Sequence, residues 1–149
     1  MAAQAGVDID QTEIRKLYDD WAEAVRTKNS FKLVANFSPD VRVFDLITPL
    51  RYQGLEALRK RADEWLSSFE GPVSYENTDL DITVGGDVAF CHSLNHVHGT
   101  NRQGKSIDMW WRATVCLKKE GAKWLVIHEH SSVPFDMNTG KASLDSKPS

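Results

Sequence analysis

The chain has 149 residues, of which 41% are hydrophobic and 26% charged, with a formal charge of −3. That length suits one domain with a substantial core and is short for two. The near-balanced charge, with no run of Lys or Arg, leaves no footprint for nucleic acid or an anionic membrane, and no apolar stretch approaches the ~20 residues that span a bilayer.

Residues 1–9 read as a flexible leader, polar and without the basic-then-apolar order of a secretory signal, so a cytoplasmic location is expected. Asp10 followed by Glu13 has the form of a capping box, and Ile14, Leu17, Tyr18, Trp21, Ala22 and Val25 then recur at helical spacing along one stripe. A short second helix is predicted through Phe31, Val34 and Ala35, ending where Ser38-Pro39-Asp40 breaks it. Val41 to Leu46 alternates as a strand, which puts Asp45 on the same face as Val41 and Val43, a carboxylate directed at the core. Thr48-Pro49 turns the chain, Leu50 to Gln53 returns it, and Gly54 releases a third helix with Leu55, Leu58, Ala62, Trp65 and Leu66 as its apolar stripe.

Gly71-Pro72 is read as the stop of that helix, followed by strands over Val73 to Val84 and Asp87 to Thr100 joined at Gly85-Gly86. The stretch from Lys105 to Phe135 closes the domain as a long hairpin turning near Gly121. On its first strand Met109, Trp111, Ala113, Val115 and Leu117 form a greasy face, and Asp108, Trp110, Arg112, Thr114 and Cys116 a mixed one. A tight register around Gly121 sets Arg112 nearly opposite Glu129 on the mixed face. Helices are expected to cover one face and a second subunit the greasy one, which predicts a homodimer. Helices grouped ahead of an antiparallel sheet make the fold class α+β, with the domain over residues 10–135 and a loose tail over 136–149.

Several local phrases resemble a known family. The opening LYDDWAEAVRTKNSFKLVANFSPDVRVFDL, with helix, polar turn, second helix and a strand ending near an acid, resembles the SnoaL-like and ketosteroid-isomerase-related branch of the nuclear transport factor 2-like superfamily. WLVIHEHSSVPF resembles the closing strand of those proteins and of the calcium/calmodulin-dependent kinase association domain. The resemblance implies a curved antiparallel sheet wrapped as a cone around three helices, with an apolar pocket inside. It implies a general-base role for Asp45, which falls where ketosteroid isomerases place their catalytic aspartate, a family used as a worked example of carboxyl tuning. Trp21 and Thr114 fall near the positions of that family's oxyanion donors.

The residues then leave two function classes open. One is a cofactor-independent isomerase, cyclase or lyase in which Asp45 removes a proton alpha to a carbonyl while Trp21, Thr114 or Arg112 holds the oxyanion. The other is a non-catalytic ligand-binding or oligomerisation module. Candidate pocket residues are Trp21, His96, Asp108, Trp110, Arg112, Thr114 and Glu129, for a ligand that is a carboxylate or an aromatic carbonyl compound. Arg112 and Glu129 are read either as a structural ion pair or as a carboxylate clamp. His92, His96 and His98 alternate on one strand and His128 and His130 on another, without the further acidic ligand that a metal site needs, so neither metal nor cofactor is expected. Cys91 and Cys116 read as reduced thiols, a disulfide requiring their strands to be neighbours in register.

Overall fold

The computed structural model describes residues 2–149. Its elements in chain order are α1 (Ala2–Arg26), α2 (Ser30–Leu33), β1 (Phe37–Phe44), β2 (Tyr52–Gln53), α3 (Leu55–Ser67), β3 (Phe69–Gly85), β4 (Val88–Asn101), β5 (Ser106–Glu120) and β6 (Lys123–Ser132). The helices lie against one face of a six-stranded sheet of order β2-β1-β6-β5-β4-β3. That is the expected α+β cone, with one difference. β1 runs parallel to β6, so the sheet is mixed.

Helix α1 starts at Ala2, so the stretch expected to be a flexible leader continues the helix, with only Val7 of its side chains partly covered. Asp10 therefore does not cap it. Its Oδ1 accepts hydrogen bonds from Lys119 Nζ at 3.0 Å and Trp124 Nε1 at 3.1 Å, fastening the helix to the β5–β6 hairpin. Of the predicted stripe Ile14, Tyr18, Trp21 and Val25 are buried and Leu17 and Ala22 partly so, with Ala24 buried beside them. Asn29 caps α2 by accepting from Lys32 N at 3.0 Å.

Pro39 breaks nothing, because β1 runs through it. Its missing N–H is harmless there, since the pairing of β1 with β6 skips from Phe37 to Arg42. Gly71-Pro72 likewise lies inside β3, in the gap between its Glu70 and Ser74 ladder pairs. The tail turns back on itself through a Phe135–Ala142 bridge and hydrogen bonds such as Ser143 N to Pro134 O at 2.7 Å.

The sheet faces correct two expectations. The greasy side of β5 faces the helices: Ala113, Val115 and Leu117 are buried there. The greasy residues thus supply the core, and the mixed set lies outside. Nor is Arg112 opposite Glu129. The hairpin turns through Gly121-Ala122, and a bulge leaves Ile127 as an extra residue between the Leu117–Val126 and Cys116–His128 pairs, so that Arg112 pairs with Ser132 and Val115 with Glu129. The extra residue flips the phase of β6. Trp124, Val126, Glu129 and Ser131 then share the concave side.

Candidate active site

Between the helices and the concave sheet face lies a cavity of about 200 Å³. Its walls are mostly apolar, with Trp65, Trp111, Met109, Ile107, Val97 and Leu58 among them. A cavity of ~150 Å³ takes up benzene, so this space suits one substituted ring. The ionisable side chains on its wall are Tyr18, Asp45, Arg61, Tyr75 and Glu129.

Asp45 follows the last residue of β1 and faces the cavity as expected, but it is already engaged. Its Oδ2 accepts from Arg61 Nε at 2.9 Å, and its Oδ1 accepts from Leu46 N at 2.6 Å. The two side chains are 19% and 18% exposed. Both of its oxygens are thus already occupied, one by a guanidinium and one by a backbone amide, and neither is open toward a substrate C–H. The base role expected of Asp45 therefore fits this geometry poorly.

Glu129 is its opposite. Burial raises this carboxyl, the negative charge of Asp45 raises it further, and the two together push it up to about 7. It lines the same cavity and is in no ion pair among the described residues. A base whose pKa lies near neutrality can both take and return a proton at working pH.

A polar strip runs across the otherwise apolar wall. Asn77 Nδ2 donates to Tyr75 Oη at 3.1 Å and to Asn95 Oδ1 at 2.8 Å, and Ser93 Oγ donates to the same Asn95 oxygen at 2.8 Å. Ser93 and Asn95 are buried on the inward face of β4, in phase with Cys91 and Val97. Tyr18 Oη and Trp21 Nε1, from two further cavity-lining side chains, are buried with no hydrogen-bond partner among the described residues. Such an unpaired group costs on the order of 1–3 kcal/mol. Burial raises the Tyr18 and Tyr75 hydroxyls above their ordinary value, so both remain protonated donors.

Of the residues expected in the pocket, Trp21, Asp45 and Glu129 are there. His96, Asp108, Trp110, Arg112 and Thr114 are not, because they point to the convex face. There His96 Nε2 pairs with Asp108 Oδ1 at 2.6 Å, its Nδ1 lies 3.3 Å from Glu76, and its ring stacks on Trp110 at 4.3 Å. That hydrogen bond from His96 holds the Asp108 carboxyl below its ordinary value. Arg112 Nε donates to Ser132 Oγ at 3.1 Å. His128 bonds the Arg42 carbonyl at 2.7 Å and packs with His130 against Phe44. Among the described residues no group of His, Cys, Asp and Glu could hold a metal ion. Cys91 and Cys116 are free thiols on adjacent strands but opposite faces, and burial pushes Cys91 up to about 11.

Residues 14–136 match the model of the SnoaL-like domain. The chain belongs to the SnoaL-like family. A nuclear transport factor 2-like protein of unknown function from Pseudomonas putida is 34% identical over 95% of this chain and 98% of its own, with a TM-score of 0.85. A proposed calcium/calmodulin-dependent protein kinase II association domain from Xanthomonas campestris is 23% identical, covering 80% of this chain and 84% of its own at a TM-score of 0.70. A proposed dehydratase from Streptomyces avermitilis is 15% identical over 84% and 96% of the two chains, with a TM-score of 0.73. The latter two share the fold. No protein of curated function matches the chain in sequence. This SnoaL-like chain has no helix, among the described residues, long and apolar enough to cross a membrane.

The sequence reading missed Tyr18, Arg61, Tyr75, Asn77, Ser93 and Asn95. A signal existed for Ser93 and Asn95, polar residues in the same alternating set as Ala89, Cys91 and Val97. Arg61 gave none, since its partner Asp45 lies 16 positions away.

Proposed function

We propose that this SnoaL-like protein is a cofactor-independent enzyme of proton transfer, an isomerase, cyclase or lyase acting on a small carbonyl compound with Glu129 as the base. The observation that carries the reading is Glu129 itself, a carboxyl in no ion pair among the described residues, on a largely apolar cavity wall, raised to about 7, in the same cavity as the Tyr18 and Trp21 donors that have no partner among the described residues. Glu129 takes the proton from the carbon alpha to the carbonyl. The C–H electron pair moves into the carbonyl, and the developing oxyanion accepts from a neutral donor of the wall. Returning the proton to a different carbon completes an isomerisation and restores the carboxylate. Asp45 keeps Glu129 basic by its charge, with Arg61 fixing its position.

The test is alpha-proton exchange of enolisable aryl ketones in deuterated water, followed by NMR. Glu129→Gln is expected to lower the rate by at least about 100-fold, the low end for a general base. A rate unchanged in that variant rejects Glu129. The engagement of Asp45 by Arg61 favours a second reading, a pocket that binds without chemistry, which predicts ligand binding with no exchange in the native protein.

A homodimer belongs to the same proposal, formed through the convex sheet face. Phe44, His130 and Thr114 occupy neighbouring ladder positions there, as do His128, Cys116 and Phe90, and Phe44 and Phe90 are 40% and 51% exposed. Free thiols in both cysteines are compatible with the cytoplasm.

A further inference from the structure

The cavity's charge and hydrogen-bonding groups restrict what enters it. Two carboxyl groups, Asp45 and Glu129, face the space, and Arg61, its one lining cation among the described residues, has its Nε on Asp45. A ligand carboxylate would bring a third acid into a low-dielectric space whose single lining cation among the described residues is already matched by Asp45. The polar strip is spent in one direction only. Asn95 Oδ1 accepts from both Asn77 and Ser93, which leaves the Asn95 Nδ2 hydrogens as the amide's remaining hydrogen-bonding group. Around the strip Trp65, Trp111 and Tyr75 meet edge to face or tilted, with ring centroids 5.9 to 6.2 Å apart. Such a corner offers ring edges and faces to a planar guest.

We propose that the ligand is an uncharged single-ring compound whose carbonyl or hydroxyl oxygen accepts a hydrogen bond from Asn95 Nδ2, with its ring against Trp65, Trp111 and Tyr75. This rests on reading the cavity as the binding site and narrows the substrate class to neutral acceptors. Asn95 is then a specificity residue, a role separate from the proton transfer assigned to Glu129.

The experiment is an NMR titration of the full chain at pH 8, following the tryptophan indole signals, with acetophenone, benzoate and ethylbenzene as probes of matched shape. Acetophenone is expected to bind saturably and benzoate at least about tenfold more weakly. Asn95→Leu is expected to weaken acetophenone about tenfold, as for one lost hydrogen bond, and to leave ethylbenzene unchanged. Asn95→Asp, which keeps the acceptor for Asn77 and Ser93 but loses the donors, serves if the leucine variant does not fold. Benzoate binding as tightly as acetophenone, equal loss of acetophenone and ethylbenzene in the variant, or no saturable binding of acetophenone would each overturn the proposal. The titration needs no turnover. Loss of proton-exchange dependence on Glu129 with the acetophenone preference intact therefore rejects the catalytic reading alone.

Discussion

Glu129→Gln keeps the shape of the side chain and removes only its ability to ionise. The native carboxyl is displaced from 4.5 to about 7 in the folded protein. A raised carboxyl favours folding fully at pH values below its unfolded value, and that contribution is lost as pH rises through the folded one. A displacement of this size corresponds to about 3 kcal/mol. The stability of the native protein should therefore fall between pH 4.5 and 7 by that amount relative to the variant, since other groups titrate alike in both. For a chain of this length, ~3 kcal/mol moves the melting temperature by roughly 6–12 °C. Urea unfolding of the two proteins at pH 4.5 and pH 8 reads the difference directly. The variant should be close to the native protein at the lower pH and clearly more stable at the higher. An equal gap at both pH values would show that the carboxyl does not carry the displacement, and the assignment of the base would fall with it.

Asp45→Asn removes the charge that helps raise Glu129, so the rising limb of the exchange rate against pH should move to lower pH; an unmoved limb would separate the two acids. The same variant leaves Arg61 half-buried without its anion, and urea unfolding should record a loss of about 1–3 kcal/mol. Asp10→Ala removes the acceptor shared by Lys119 and Trp124 and should cost about 1–2 kcal/mol by the same measurement, whereas a helix start loose from the sheet would lose nothing. Phe44→Glu on the convex face should convert the dimer to monomer in sedimentation velocity without altering the cavity, and a native protein already monomeric at micromolar concentration would remove the dimer.

The architecture was readable because helical and strand periods differ. Ile14, Tyr18, Trp21 and Val25 declare one stripe, and glycine turns at Gly86 and Gly121, both at positive φ, mark the hairpins. Alternation on β5 also separated its two sets of side chains correctly. It could not say which set faces inward, since period-two patterning is symmetric between faces; apolar content settles that, with Ala113, Val115 and Leu117 in the core. The bulge at Ile127 was the other hidden quantity. It admits one residue without any local composition signal, and it decides that Glu129 shares the cavity with Asp45 while Arg112 does not. Asp45 was found by its phase with Val43, but its engagement depends on Arg61 of α3, a tertiary contact beyond any local pattern. The Asn77–Asn95–Ser93 strip needs the β3–β4 register, in which Asn77 pairs with Asn95, before its members can be seen as one group.

The most direct test of the site is the titration of Glu129 itself by carbon-13 NMR of the glutamate side-chain carboxyls, with the signal assigned by its absence in Glu129→Gln. A midpoint near 7 is the predicted result. A midpoint close to 4.3, the value of a solvated glutamate, would contradict the placement of an unpaired carboxyl in an apolar cavity and end the case for Glu129 as the base.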